Sequence, residues 1–220
     1  MSQRESRYGL MVFDFDGTLV DSEACIRRSL TRALEERGVR TAIRKDWIGL
    51  PLETIVRSAC GEVDAAVVDE VVARYREHYA TLDPELTTPF PGIIDAVQAL
   101  VGAGVRLAIA TNKHSSPARA TLDRFGLTSL FDPIAGGESV ERAKPHPDLM
   151  HRVLDVTGAA PSETLMIGDA IVDLQMAAAA GVDSCAVTWG NHTRDALMSC
   201  RPTHIADRTS DLLQIASRSR

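Results

Sequence analysis

Leu10-Met11-Val12-Phe13-Asp14-Phe15-Asp16-Gly17-Thr18-Leu19 decides the fold. Four apolar residues run straight into two aspartates spaced two apart, followed by a glycine and a hydroxyl. The apolar run reads as a strand buried on both faces, as in the middle of a parallel sheet. Residues two apart on an extended chain point the same way, so Asp14 and Asp16 can face one site at the strand's end. Gly17 permits a sharp turn that brings backbone close to a ligand. Two neighbouring carboxylates resist being ionised together, so one of them is expected to titrate high, which gives one nucleophile and one proton donor. Taken alone, the stretch is equally compatible with a strand and an acidic turn.

Outward from this stretch, the 220 residues suit one large domain or a core with a smaller insert. No apolar run approaches the roughly 20 residues that span a bilayer, and the polar opening Met1–Arg7 lacks a signal peptide's apolar segment. The net charge is −6, and the only basic cluster is the short tail Ser217-Arg218-Ser219-Arg220, which argues against nucleic acid or a membrane surface as partner. Cys25, Cys60, Cys185 and Cys200 have neither zinc-clip nor redox spacing and read as reduced thiols of a cytoplasmic chain.

Residues 22–82 read as helical. Ile26, Leu30, Ala33 and Leu34 recur at helical spacing and stop at Gly38. Pro51 opens a second helix carrying Ile55 and Val56, and a third runs from about Asp64 to Ala80. From Pro91 the rhythm alternates helix and strand. Val105–Ala110 is a strand ending in Thr111-Asn112-Lys113, and Ser116 with Pro117 looks like the cap and first position of a helix. A short strand surrounds Pro133-Ile134-Ala135, Thr164–Ile167 is a strand ending in Gly168-Asp169, and Val182–Val187 is another. Thr203-His204-Ile205 reads as an edge strand before a closing helix at Asp211–Ala216. The predicted fold is α/β: a Rossmann-like parallel sheet core, residues 1–20 and 87–220, with a small all-helical cap, residues 21–86, inserted after the first strand.

In such sheets ligands bind beyond the carboxyl ends of the strands. Asp14 and Asp16, Thr111 and Asn112, Lys144, and Asp169 with Asp173 all fall at that end. Four aspartates against Lys144 would repel an anionic substrate unless a divalent cation joined them. A proton on Asp16 and one Mg²⁺ bring the charge near neutrality, and oxygen donors without a Cys/His cluster suit Mg²⁺ better than zinc. A carboxylate nucleophile, a cation, a lysine and a backbone-rich turn point to phosphoryl transfer through an aspartyl-phosphate. Thr111 and backbone amides near Gly17 and Asn112 would hold the non-bridging oxygens, aided by the helix start near Ser116.

At this point the sequence resembles a family. Asp14-Phe15-Asp16-Gly17-Thr18-Leu19-Val20-Asp21-Ser22 is similar to the first motif of the haloacid dehalogenase-like hydrolases. Thr111-Asn112-Lys113, Lys144-Pro145-His146-Pro147 and Gly168-Asp169-Ala170-Ile171-Val172-Asp173 resemble the second, third and fourth. The resemblance implies Asp14 as nucleophile and Asp16 as general acid/base. It implies Mg²⁺ held by Asp14, Asp169 and the backbone carbonyl of Asp16. Thr111 and Lys144 would hold the phosphoryl group, and Asp173 would support the metal's ligands or Lys144. Ala170 stands where the fourth motif often has a small hydroxyl residue. The helical block resembles the family's small cap, which would close over the site and exclude water. Gly49-Leu50-Pro51-Leu52, Gly136-Gly137-Glu138 and Thr188-Trp189-Gly190 resemble the phosphoglycolate phosphatase-like branch.

The implied activity is hydrolysis of a small phosphorylated metabolite, with 2-phosphoglycolate the first candidate, by a cytoplasmic monomer or homodimer. A sugar phosphomutase, a pyrophosphatase and a non-catalytic regulatory relative are the alternatives. Arg57 is the candidate for a substrate carboxylate because its forked donors suit one, against the plainer reading of a solvated helix arginine. His114, His146, Trp47 and Trp189 read as loop, capping and packing residues.

Overall fold

The computed structural model describes residues 7–217; the opening segment 1–6 and the tail 218–220 weighed above lie outside the described residues. Strand β1 (Leu10–Phe13) has no exposed side chain. After it, β2 (Val20–Asp21) leads into helices α1 (Glu23–Glu35), α2 (Leu52–Cys60) and α3 (Ala65–Leu86), and β3 (Thr88–Pro89) leads out. The remainder alternates: α4 (Ile93–Gly102), β4 (Arg106–Thr111), α5 (Ser115–Arg124), β5 (Phe131–Gly136), α6 (Asp148–Thr157), β6 (Thr164–Gly168), α7 (Ile171–Ala180) and β7 (Asp183–Val187). Helix α8 (Arg194–Ser199), β8 (His204–Ala206) and α9 (Asp211–Ser217) complete it.

Six strands form one parallel sheet in the order β5-β4-β1-β6-β7-β8. The period-2 reading of the opening strand holds. Met11 and Phe13 join the apolar cluster built with Val97, Leu122 and Ile215 of α4, α5 and α9, while Leu10 and Val12 join Leu149, Val153 and Met176 of α6 and α7. Each such side chain contributes roughly 1.5–3 kcal/mol by leaving water. The chain runs outward from β1 through β4 to β5, then returns to β6 on the other side of β1. Connections therefore diverge between β1 and β6, which opens a crevice at their carboxyl ends. Asp14 and Asp169 follow those two strands.

Helices α1–α3 bury their apolar stripes against one another: Ile26, Leu30 and Leu34 meet Ile55, Val56 and Val71 in a separate cluster. The two-residue antiparallel ribbon β2–β3 joins these helices to the sheet. Its strands and the six-residue α8 are too short for periodicity to reveal. Helix α3 runs past the expected stop at Ala80, through Pro84 to Leu86. Asp83 explains this: buried, it accepts from Tyr79 Oη, Thr121 Oγ1 and Arg124 Nη1, which anchor the turn that proline would otherwise break. Helix α5 starts at Ser115 after His114, so Ser116 is not its cap. The cap comes from across the sheet, where the Glu138 carboxylate accepts the Ser115 N–H at 2.9 Å.

Candidate active site

Asp14 stands at the carboxyl end of β1, its N–H donating to Ile167 O of β6 at 2.9 Å. The central strand thus presents the carboxylate from a backbone fixed on both sides. Lys144, 1 % exposed, reaches it from the loop before α6: Nζ donates to Asp14 Oδ1 at 2.8 Å and to Asp173 Oδ1 at 2.7 Å. Asp173, in the first turn of α7, accepts the Ala170 N–H on its other oxygen at 3.0 Å. A side chain there suits the positive end of the helix dipole and ties Lys144 to the sheet. Asp169 accepts Thr18 Oγ1 at 2.8 Å on one oxygen and the Asn191 N–H at 2.7 Å on the other.

Close backbone approach is built in. Gly17 has φ +90°, and a Cβ there would lie 2.2 Å from Asp169 Oδ2. A Cβ on Gly168 would collide with Asp173, and one on Gly190 with Asp169. The turn glycine anticipated at position 17 is needed both for its left-handed backbone and for this packing.

Asp16 faces the insert. Ser22 Oγ donates to its Oδ1 at 2.6 Å, and Lys113 Nζ lies 3.2 Å from both carboxylate oxygens. The Lys113 ammonium also sits over the Tyr79 ring of α3, 3.7 Å from its centroid. Thr111 Oγ1 accepts the Lys113 N–H at 3.3 Å. The Asn112 side chain bridges two loops: it donates to Gly49 O of the insert at 2.8 Å and accepts the Lys144 N–H at 2.9 Å. Asn112 is thus a brace for the Lys144 loop and its contact with the insert.

Electrostatics amend the sequence reading. The Asp14 carboxyl is raised to about 6, by burial first and then by the charge of Asp173, against the pull of Lys144. Its neighbour in sequence, Asp16, is not the cause. Asp169 is raised to about 7 by burial and then by Asp14, against hydrogen bonds from Asn191 and Thr18. Asp173 is raised by burial, with Lys144 opposing. Burial works to lower the Lys144 ammonium's pKa, but the charges of Asp14 and Asp173 outweigh it and leave it raised. The four aspartates also have a second cation, Lys113, that the sequence count omitted. Two lysines against four carboxylates leave a deficit that one divalent cation balances.

Asp14, Asp169 and Asp173 each offer a carboxylate oxygen within 4.8 Å of the others. Hard, buried, like-charged oxygens at this spacing fit a divalent cation of the Mg²⁺ type. Among the residues singled out in the sequence, Asp14, Asp16, Thr111 and Asn112 line one cavity of about 420 Å³ between sheet and insert. Arg57 is not among the residues that line this cavity, and its exposed guanidinium donates to Val63 O at 3.3 Å. Thr18, Ser22, Lys113 and Asn191 hold the acidic side chains without having been singled out. The first three lay inside motifs already quoted, and Asn191 acts through its backbone, which leaves no side-chain signal.

A family model described as haloacid dehalogenase-like hydrolase matches residues 11–187. A protein named probable phosphatase IndB, from Dickeya dadantii, is 37% identical over 218 residues, covering 94% of this chain and 93% of that one. The phosphoglycolate phosphatase of Aliivibrio fischeri is 31% identical, covering 96% of this chain and 97% of its own. Among solved structures, a haloacid dehalogenase-like family hydrolase from Streptococcus pneumoniae superposes with a TM-score of 0.83 at 31% identity, covering 94% of this chain and 98% of that one. With a matching model over most of its length and relatives at this level, the chain belongs to the haloacid dehalogenase-like hydrolases and is similar there to the phosphoglycolate phosphatase-like branch.

Proposed function

We propose that this chain is a phosphomonoesterase that works through a phosphorylated Asp14, with residues 21–86 serving as its cap. The observation that carries this reading is Lys144 Nζ buried between Asp14 and Asp173 at 2.8 and 2.7 Å, at the mouth of the β1–β6 crevice. A buried cation there orients the nucleophile and offers charge to phosphoryl oxygens. An Asp14 oxygen forms a bond to phosphorus as the bond to the leaving oxygen breaks, and Asp16 gives that oxygen a proton. Water then attacks the acyl phosphate, Asp16 takes its proton, and phosphate departs with Asp14 restored. Thr111, at the end of β4, contacts the transferring oxygens, and Ser22 and Lys113 position the Asp16 carboxyl.

Asp14, Asp169 and the backbone carbonyl of Asp16 would hold Mg²⁺, which supplies positive charge to the transferring group. Asp173, with both oxygens engaged by Lys144 and Ala170, serves that set by fixing Lys144. The substrate is a small phosphorylated metabolite. 2-Phosphoglycolate is a natural first ester because the relative from Aliivibrio fischeri bears its name.

The direct test is phosphate release from small phosphomonoesters and inorganic pyrophosphate. Release is expected with Mg²⁺, lost with a chelator and restored by excess metal. Silence across the panel from folded, Mg²⁺-loaded protein would sink the reading.

The acid cluster makes a second prediction. Asp14 and Asp169, at about 6 and about 7, lie above their ordinary value of 3.8. Between those values the folded chain binds more protons than the unfolded one, so metal-free stability falls as pH rises from about 4 to 7. Mg²⁺ should therefore stabilise most at pH 7.5. At a hundredfold excess over Kd the gain is about 2.7 kcal/mol, or about 5–10 °C in Tm for a chain of this size. At pH 5, where both carboxyls hold protons, the gain should largely vanish. Thermal unfolding with and without Mg²⁺ at the two pH values checks this, and an equal shift at both would contradict it.

A further inference from the structure

The cavity between sheet and insert is built for more than a phosphoryl group and two carbons. At about 420 Å³ it lies in the range that encloses drug-sized molecules. The insert's wall is apolar: Ile26, Ile48, Leu50, Leu52, Ile55 and Tyr75 line it. A two-carbon ester would leave that wall in contact with water, which is unfavourable. Charged groups are sparse there. Away from the aspartates, Glu53, Glu138 and Arg76 line the cavity, and the Lys113 ammonium is already matched by Asp16. The Arg57 guanidinium donates to Val63 O instead. Arg76 is therefore the guanidinium that a bound molecule meets beyond the phosphoryl site.

Two charged side chains of the insert, Glu53 and Arg76, interrupt the wall. Arg76 of α3 has Nη2 2.9 Å from His114 Nε2 of the β4–α5 loop. That contact takes one of five guanidinium donors and leaves others to meet an oxygen acceptor on a bound molecule. We infer that the preferred leaving group is a ring-bearing alcohol: a body with an apolar face at least as large as a six-membered ring, carrying an oxygen acceptor toward Arg76. The inference rests on the phosphomonoesterase reading. The reaction is the same: the ester oxygen leaves with a proton from Asp16 as the ring alcohol, and water supplies the oxygen that makes inorganic phosphate.

The experiment compares kcat/KM for 2-phosphoglycolate, phenyl phosphate and a nucleoside 5′-monophosphate on the Mg²⁺-loaded enzyme. The ring esters are expected to exceed 2-phosphoglycolate by at least about tenfold, because one well-buried apolar side-chain contact already provides that much. Leu52→Ala should lower the ring-to-glycolate ratio about tenfold, mainly through KM, since an apolar wall binds ground and transition states alike. Leu52→Met, of similar volume, should restore the ratio. If 2-phosphoglycolate is turned over as well as or better than the ring esters, this inference falls while the phosphomonoesterase reading stands. If no ester is turned over, both fall.

Discussion

Asp14→Asn is expected to abolish phosphate release, lowering kcat and kcat/KM together by about 10⁴-fold or more, as loss of a nucleophile does in other covalent enzymes. The amide keeps the shape and an oxygen for Lys144 Nζ to reach, so the fold is retained. It also removes one negative charge from a crowded, buried set in which Asp14 raises Asp169. Stability at pH 7.5 without metal should therefore be equal to or above that of the parent. Activity and stability move in opposite directions, a split that a merely structural aspartate would not produce. Steady-state kinetics beside urea unfolding reads both. A variant that keeps more than about one hundredth of the activity would remove Asp14 from the role of nucleophile.

Lys144→Met should damage both. The methionine fills much of the lysine stem's volume but leaves Asp14 and Asp173 facing each other, buried, without the cation that bonds both. Removing one partner from a buried ionic set costs about 3–5 kcal/mol. The loss should be largest near pH 7.5 and shrink on acidification, because protons on the two carboxyls remove the uncompensated charge. Activity should fall at least about 10²–10³-fold, the usual effect of removing a preorganised donor at a transferring group. Urea unfolding at pH 7.5 and 5 tests the first part. A variant as stable as its parent at pH 7.5 would mean that the carboxylates, not the lysine, organise this corner.

What could be seen in the sequence follows from what acts locally. Asp14, Thr111 and Asp169 were placed because each ends an apolar run, and the run's burial dictates the strand and hence its end. Lys144 and Asp173 followed from their loop and helix start. Cross-chain partners were hidden. Glu138 caps α5 from 23 residues away, so Ser116 looked like the cap when it was not. Lys113 is a long, flexible side chain whose direction is chosen by Asp16 and the Tyr79 ring, which belong to different parts of the fold. Arg57 was hidden in the same way. It shares a face of α2 with Glu53, one turn away, which does line the cavity; what takes its guanidinium elsewhere is Val63 O, a partner beyond the helix's end.

The narrow ribbon β2–β3 sets the mechanics of the molecule. The α1–α3 bundle has its own apolar interior and reaches the sheet through two-residue strands, while Arg124 grips Asp83 O and Thr87 O at the foot of α3. Elsewhere the insert meets the sheet's loops through polar contacts such as Asn112 with Gly49 and Arg76 with His114. The two kinds of attachment differ: a two-residue ribbon and an arginine clamp at the foot of α3, and hydrogen bonds that water can replace at Gly49 and Arg76. Because the bundle's apolar interior is its own, breaking those hydrogen bonds would expose little of it, and the insert would tilt on the ribbon as a folded unit.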